Sequence, residues 1–219
     1  MDMKENIKFI YFDAANTLLH KPLLFTRMQS VLNDAGITIG QEELRLRHKF
    51  LSEVFTFPDQ TNAGFYLSFN MELLRLIGVA DGEELARRIF DACSYLPWEA
   101  FEDCGSIGDI GLPMGIISNW DHNLEERLEL LAPLRFNPVI GSMKTGVAKP
   151  SPALFELAIN KCGVEPGEIL YIGDSIKLDM EPARRLGMQT VFLDRINAFP
   201  FYNGPRIGSL HELKDLIRN

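Results

Sequence analysis

The stretch Ile7-Lys8-Phe9-Ile10-Tyr11-Phe12-Asp13-Ala14-Ala15-Asn16-Thr17-Leu18 decides how the rest of the chain is read. Its first half, Ile7 to Phe12, is an apolar run of strand length, and the run stops at a carboxylate, Asp13. A second apolar run, residues 169–172, ends in Gly173-Asp174-Ser175, and Asp179 follows at the start of an expected helix. Two carboxylates at two strand ends are what a hard divalent cation needs if it is to sit beside a nucleophile. Position 15, where a second acid would serve that chemistry best, is alanine.

Outward from these two runs the chain falls into two kinds of pattern. Between Pro22 and Tyr95 the periodicity is helical, with helices expected over 22–35, 41–57, 63–77 and 81–96. Gly36 and Gly78 close two of them, and Asp81 to Glu84 has capping-box spacing. Leu44, Phe50, Leu51, Val54 and Phe55 read as one buried stripe. From Met114 onward, short apolar runs at 114–118, 139–142, 169–172 and 191–194 alternate with helices at 123–131, 152–162, 179–186 and 210–218. Ser151-Pro152 supplies a helix start, Gly187 a helix end, and Ser209 to Glu212 a second capping box. The Pro- and Gly-rich residues 198–208 read as a loop.

Alternating strands and helices imply an α/β fold, a doubly wound parallel sheet covered on both faces, with strand 7–12 in that sheet. The expected division is 1–19 with 104–219 as the α/β core and 20–103 as an inserted helical cap. Ligands of such sheets bind beyond the carboxyl ends of the strands. Asp13, Ser118-Asn119, Ser142 and Asp174 stand at those ends, and an insertion leaving and rejoining nearby would serve as a lid.

A chain of 219 residues carrying a net charge of −8 disfavours a general nucleic-acid or anionic-membrane surface role. Cys93, Cys104 and Cys162, without a Cys-x-x-Cys spacing, fit a reducing cytoplasm better than a disulfide or zinc framework. Residues 1–6 run straight into a strand without a signal-peptide core, and no apolar stretch approaches transmembrane length. The expected location is cytoplasmic.

Asp13 to Leu18, Ile116-Ile117-Ser118-Asn119, Gly146-Val147-Ala148-Lys149-Pro150, and Gly173-Asp174-Ser175 with Asp179 occur in this order across nearly the whole chain. Together they resemble the four motifs of the haloacid dehalogenase superfamily of hydrolases, most closely its phosphatase-like members with a helical cap after the first strand and a Rossmann-like core. The resemblance implies that Asp13 attacks phosphorus and forms an aspartyl-phosphate. It implies Mg²⁺ held by Asp13, the backbone carbonyl of Ala15 and Asp174, with Asp179 ligating the ion or holding its water shell. Lys149 would neutralise charge between Asp13 and the phosphoryl group, and Ser118 would donate a hydrogen bond to it. Thr17 and Asn119 would support the phosphate site. Asn16 stands where the family usually has glycine, and asparagine tolerates left-handed backbone. The implied substrate is a small phosphorylated metabolite, with no nucleic-acid or membrane partner and a monomer or weak homodimer as the assembly.

Ala15 departs from that pattern, because phosphatases of the family place there the aspartate that protonates the leaving oxygen. Losing general acid–base catalysis costs on the order of 10²–10⁴ in rate. Three readings follow: a slow phosphatase for good leaving groups such as acyl phosphates, replacement of the acid by a neighbour such as His20, or a catalytically silent homologue that binds a phospho-ligand or a protein. Phosphonoacetaldehyde hydrolases also carry alanine at this position and use a cap lysine as a Schiff base. Lys49 is the only lysine between Pro22 and Cys104, and it sits among arginines beside His48. Dehalogenation is disfavoured by the retained acidic fourth motif.

Overall fold

The computed structural model describes residues 6–132 and 134–218, so the reading of the chain start over residues 1–5 lies outside the described residues. Among the described residues there are eight strands: β1 Phe9–Phe12, β2 Leu19–His20, β3 Glu99–Ala100, β4 Met114–Ser118, β5 Val139–Gly141, β6 Ile169–Gly173, β7 Gln189–Leu193 and β8 Arg206–Ile207. Six of them form one sheet in the order β5-β4-β1-β6-β7-β8, and each neighbouring pair is parallel. The central strands are apolar apart from Ser118 at the end of β4 and the tyrosine hydroxyls, as strands buried on both faces tend to be. Strand β1 lies between β4 and β6, so the chain leaves it in one direction and returns on its other side, the arrangement that opens a crevice at the strand ends.

The described residues form two compact units, one running up to His20 and resuming at Glu99, the other spanning Lys21–Trp98. Both chain crossings between them pass through a two-stranded antiparallel ribbon, Leu19 opposite Ala100 and His20 opposite Glu99.

In the first unit the helices, numbered in chain order after the four of the second unit, are α5 Leu124–Leu131, α6 Ser142–Thr145, α7 Pro152–Cys162, α8 Glu181–Arg185 and α9 Leu213–Arg218. Tyr11, Tyr171, Phe155 and Phe192 fill one layer beside the sheet, and the Tyr11 hydroxyl is satisfied by the carbonyl of Ala158 at 2.8 Å. Gly115 is opposite Tyr11 in register, and a Cβ there would meet both that ring and the Pro138 carbonyl, the latter at 2.8 Å. The sheet therefore closes around the tyrosine only with glycine at 115. The Ser209–Glu212 capping box is formed, and Gly187 takes φ +86° just past α8.

The second unit is helical: α1 Leu24–Asp34, α2 Gln41–Val54, α3 Ala63–Leu76 and α4 Glu83–Cys93. Each helix packs on its neighbours around Met28, Leu32, Leu44, Leu51, Phe69, Leu73 and Ile89. The stripe expected on α2 is narrower than read. Leu44 and Leu51 are buried with Phe55 packed beside them, whereas Phe50 and Val54 are 44% and 69% exposed. At 3.6 residues per turn positions 50 and 54 lie roughly 100° away from the 44–51–55 line. The capping box at Asp81 does not form: Asp81 takes φ +53° and Gly82 becomes the cap residue, so no side chain reaches the free N–H groups. Ser151 likewise makes no side-chain cap bond. The loop expected over 198–208 contains β8, too short to show as an apolar run.

Candidate active site

Asp13 is placed by the strand ladder itself, since its N–H continues the pairing of β1 with β6 by donating to the Ile172 carbonyl at 2.8 Å. Immediately beyond, the chain folds back on itself. Leu18 and Leu19 N–H groups both donate to the Ala14 carbonyl at 2.9 Å, and Asn16 N–H donates to the Leu19 carbonyl at 2.7 Å. This closure requires a left-handed residue, and Asn16 supplies it with φ +58°.

The neighbouring strands deliver the other groups. Ser118 ends β4 and donates its hydroxyl to Asp13 Oδ1 at 2.8 Å. Lys149 Nζ donates to the same oxygen at 2.7 Å and to Asp179 Oδ1 at 2.6 Å. Asp179 Oδ2 accepts from the Ser175 N–H at 3.0 Å. Asp179 lies within a π-helical turn, Ile176–Met180, rather than at a helix start, and the cap of that turn is Ser175, whose hydroxyl accepts from Leu178 N–H at 3.0 Å. A Cβ at Gly173 would run into the Asp179 carboxylate, so glycine at the end of β6 is what admits this acid beneath the strand. Asp13, Asp174 and Asp179 can each offer one carboxylate oxygen so that all three lie within 4.8 Å of one another. Asp13 and Asp179 are buried, and Asp174 is half-buried.

A residue not anticipated from the sequence completes the group. The Tyr171 hydroxyl lies 2.9 Å from Asp179 Oδ1 and 3.1 Å from the Ile117 carbonyl, and it accepts from Lys149 Nζ at 3.3 Å. Its one signal in sequence is an aromatic with a polar tip inside an otherwise aliphatic strand, since a buried phenol needs a partner.

The electrostatics follow from burial of like charges around one cation. Burial pushes the Asp13 carboxyl up to about 7, the Lys149 ammonium opposes this, and Asp179 and Asp174 add to it. Burial alone would lower Lys149, but Asp13 and Asp179 outweigh it and hold the lysine charged, above its ordinary value. Burial and the Asp179 charge raise the Tyr171 phenol, which stays a neutral hydroxyl.

The remaining expected residues are placed as follows. Thr17 is fully buried and its Oγ1 has no hydrogen-bond partner among the described residues. Asn119 is occupied by Lys149, accepting from its N–H at 2.7 Å and donating to its carbonyl at 3.1 Å. Both polar ends of the amide are thereby engaged with the Lys149 backbone, so Asn119 braces the lysine. Ser142 directly follows β5 and opens α6, and its hydroxyl is engaged by the Trp120 backbone at 3.0 and 3.3 Å. Ala15 is half-buried and forms an isolated bridge with Leu19. The His20 ring is stacked on Phe101 with centroids 3.9 Å apart, a packing arrangement. In the helical unit Lys49 pairs with Glu53 at 3.0 Å one turn on, an ion pair along the helix face.

Comparison with known proteins agrees with this geometry at the level of family. The family model of haloacid dehalogenase-like hydrolases matches residues 7–187. The haloacid dehalogenase-like hydrolase domain-containing protein 3 of Danio rerio is 33% identical over 119 residues, 52% of this chain and 49% of that one. The glyceraldehyde 3-phosphate phosphatase of Methanocaldococcus jannaschii is 31% identical over 118 residues, 50% of this chain and 51% of that one. The matched stretches thus span about half the length of these relatives. A solved haloacid dehalogenase-type phosphatase from Thermococcus onnurineus superposes with a TM-score of 0.57 at 24% identity, covering 96% of this chain and 98% of that one, a likeness of fold. The chain belongs to the haloacid dehalogenase-like hydrolase family.

Proposed function

We propose that this chain is a Mg²⁺-dependent phosphohydrolase for a small phosphorylated metabolite, with Asp13 as nucleophile and with weakened acid–base catalysis. The observation that carries the reading is the convergence on Asp13 of Lys149 and Ser118, with Asp174 and Asp179 in carboxylate reach. Relatives that are phosphatases support the direction.

The donor set fits a hard divalent ion: three carboxylates and no soft ligand, at the carboxyl ends of central strands. Asp13, the Ala15 carbonyl and Asp174 would hold the ion. Asp179, whose two oxygens serve Lys149, Tyr171 and Ser175, is assigned to anchoring the lysine and the ion's waters. A bound Mg²⁺ would supply positive charge to the phosphoryl oxygens and keep Asp13 ionised.

The chain's own groups then act as follows. The two donors on Asp13 Oδ1 fix the rotation of the carboxylate. An Asp13 oxygen bonds to phosphorus as the bond from phosphorus to the leaving oxygen breaks, and the leaving group departs with that electron pair. Lys149 offsets the charge that accumulates. Thr17, with an unspent buried hydroxyl, is assigned to the phosphate. Water then attacks phosphorus as the bond from phosphorus to the Asp13 oxygen breaks. Asp13 leaves with that electron pair as a carboxylate, and the water's proton departs with the released phosphate or to solvent. Ala15 has no proton to give, so leaving groups that are stable as anions are favoured, acyl phosphates above alkyl esters. From its insertion point in the chain, the helical unit is assigned the cap role.

Ala15 also favours a second reading, a silent homologue that binds a phospho-ligand without turnover. Steady-state assays with acetyl phosphate and p-nitrophenyl phosphate separate the two. Wild-type turnover of acetyl phosphate that disappears in Asp13→Asn supports the enzyme; turnover seen only after Ala15→Asp supports the silent reading.

A further inference from the structure

The loop of residues 13–19 satisfies part of its backbone internally, but two carbonyls on its return side are met from elsewhere in the same unit. Leu18 accepts from the Phe101 N–H at 2.9 Å, and Thr17 accepts from Arg195 Nη2 at 2.8 Å. Arg195 is remote in sequence and lies two residues beyond β7. Its guanidinium is held on three sides. Nη1 and Nη2 donate to the two oxygens of Asp103 at 2.8 and 3.0 Å, and the plane lies 3.8 Å from the centroid of the Phe101 ring. Asp103 is itself buried and accepts from the Ser209 hydroxyl at 2.8 Å and the Leu210 N–H at 2.9 Å.

We infer that Arg195, oriented by Asp103 and Phe101, is a positioning residue that fixes residues 13–19 through the Thr17 carbonyl and so sets where Asp13 and Ala15 stand. The role rests on the phosphohydrolase reading for its consequence in turnover. A stabilising ion pair alone would need only Asp103. The extra donor, aimed at a carbonyl four residues from the nucleophile, is what directs the arrangement at the site. Lysine could not replace it, because a single ammonium cannot make a two-pronged carboxylate contact, lie flat on an aromatic face and reach a third acceptor. Burial would raise Asp103, yet the Arg195, Leu210 and Ser209 donors together hold its carboxyl below the ordinary range, keeping the fork anionic.

The test compares wild type with Arg195→Met, Arg195→Lys and Asp103→Asn in the full chain, by hydrogen exchange and by acetyl phosphate kinetics with Mg²⁺. In Arg195→Met the amides of residues 14–19 should exchange at least about tenfold faster while those of β6 keep their rates. A small displacement of the reacting groups should lower kcat on the order of 10²-fold with KM within about threefold. Arg195→Lys should recover thermal stability without recovering kcat. Unchanged loop exchange in both arginine variants overturns the proposal, and so does faster exchange with kcat intact. Should wild type and Ala15→Asp both fail to turn over any phosphate, the phosphohydrolase reading fails, and loop exchange alone decides whether Arg195 is the clamp.

Discussion

Lys149 Nζ and Asp13 Oδ1 meet at 2.7 Å across 136 positions of sequence, with both side chains almost wholly removed from solvent. The same ammonium is the counter-charge for Asp179. Removing one partner of a buried ion pair costs about 3–5 kcal/mol, since the other is left uncompensated. Lys149→Met should therefore lower the urea unfolding free energy by about that amount, with part recovered in millimolar Mg²⁺. A loss below about 1 kcal/mol would show that the acids are solvated and the site is open.

Ala15 is half-buried, so an acid introduced there does not face full desolvation. Ala15→Asp should raise kcat on an alkyl phosphate such as glycerol phosphate by about 10²–10⁴, the range expected for general acid–base catalysis. The gain on acetyl phosphate should be smaller, because its leaving carboxylate needs little protonation. Equal gains on both substrates would place the wild-type defect elsewhere.

Tyr171 joins Lys149, Asp179 and the end of β4 through one hydroxyl. Tyr171→Phe keeps the ring in the core and removes only that oxygen. A stability loss of about 1–3 kcal/mol is expected for the polar groups left unsatisfied, with a fall in kcat as the lysine loosens. Unfolding curves and steady-state kinetics on the same preparation read both.

In the helical unit, burial and the neighbouring Lys49 hold His48 down to about 4 from an ordinary 6.5. It sits between the edges of Phe25 and Phe69. Between pH 4 and 6.5 the unfolded chain binds the proton that the folded chain refuses, so stability is full above 6.5 and falls as pH drops through this window. Because His48 is only half-buried, the loss by pH 5 should be about 1–2 kcal/mol. His48→Leu should flatten the stability–pH curve there; an unchanged curve would mean that His48 titrates normally.

Asp13 and Asp174 were legible as candidates because each lies where an apolar run stops, after β1 and after β6, with Ser118 closing β4. Local pattern carries that much. Arg195 and Asp103 were not legible, since their pairing spans 92 positions and neither stands at an apolar boundary. Tyr171 was hidden inside a run read only for its hydrophobicity. Phe50 and Val54 show the opposite failure, apolar residues drawn into a stripe whose angular position places them outside it. Asp81 had capping-box spacing, but the backbone turned left-handed one residue early.

The central claim, that Asp13 with a divalent ion forms a phosphoryl site, is tested most directly by titrating beryllium fluoride into wild type and Asp13→Asn, with and without Mg²⁺. Saturable one-to-one binding that requires both the ion and the aspartate is the expected result. Binding that persists in Asp13→Asn, or that wild type never shows with Mg²⁺ present, would contradict it.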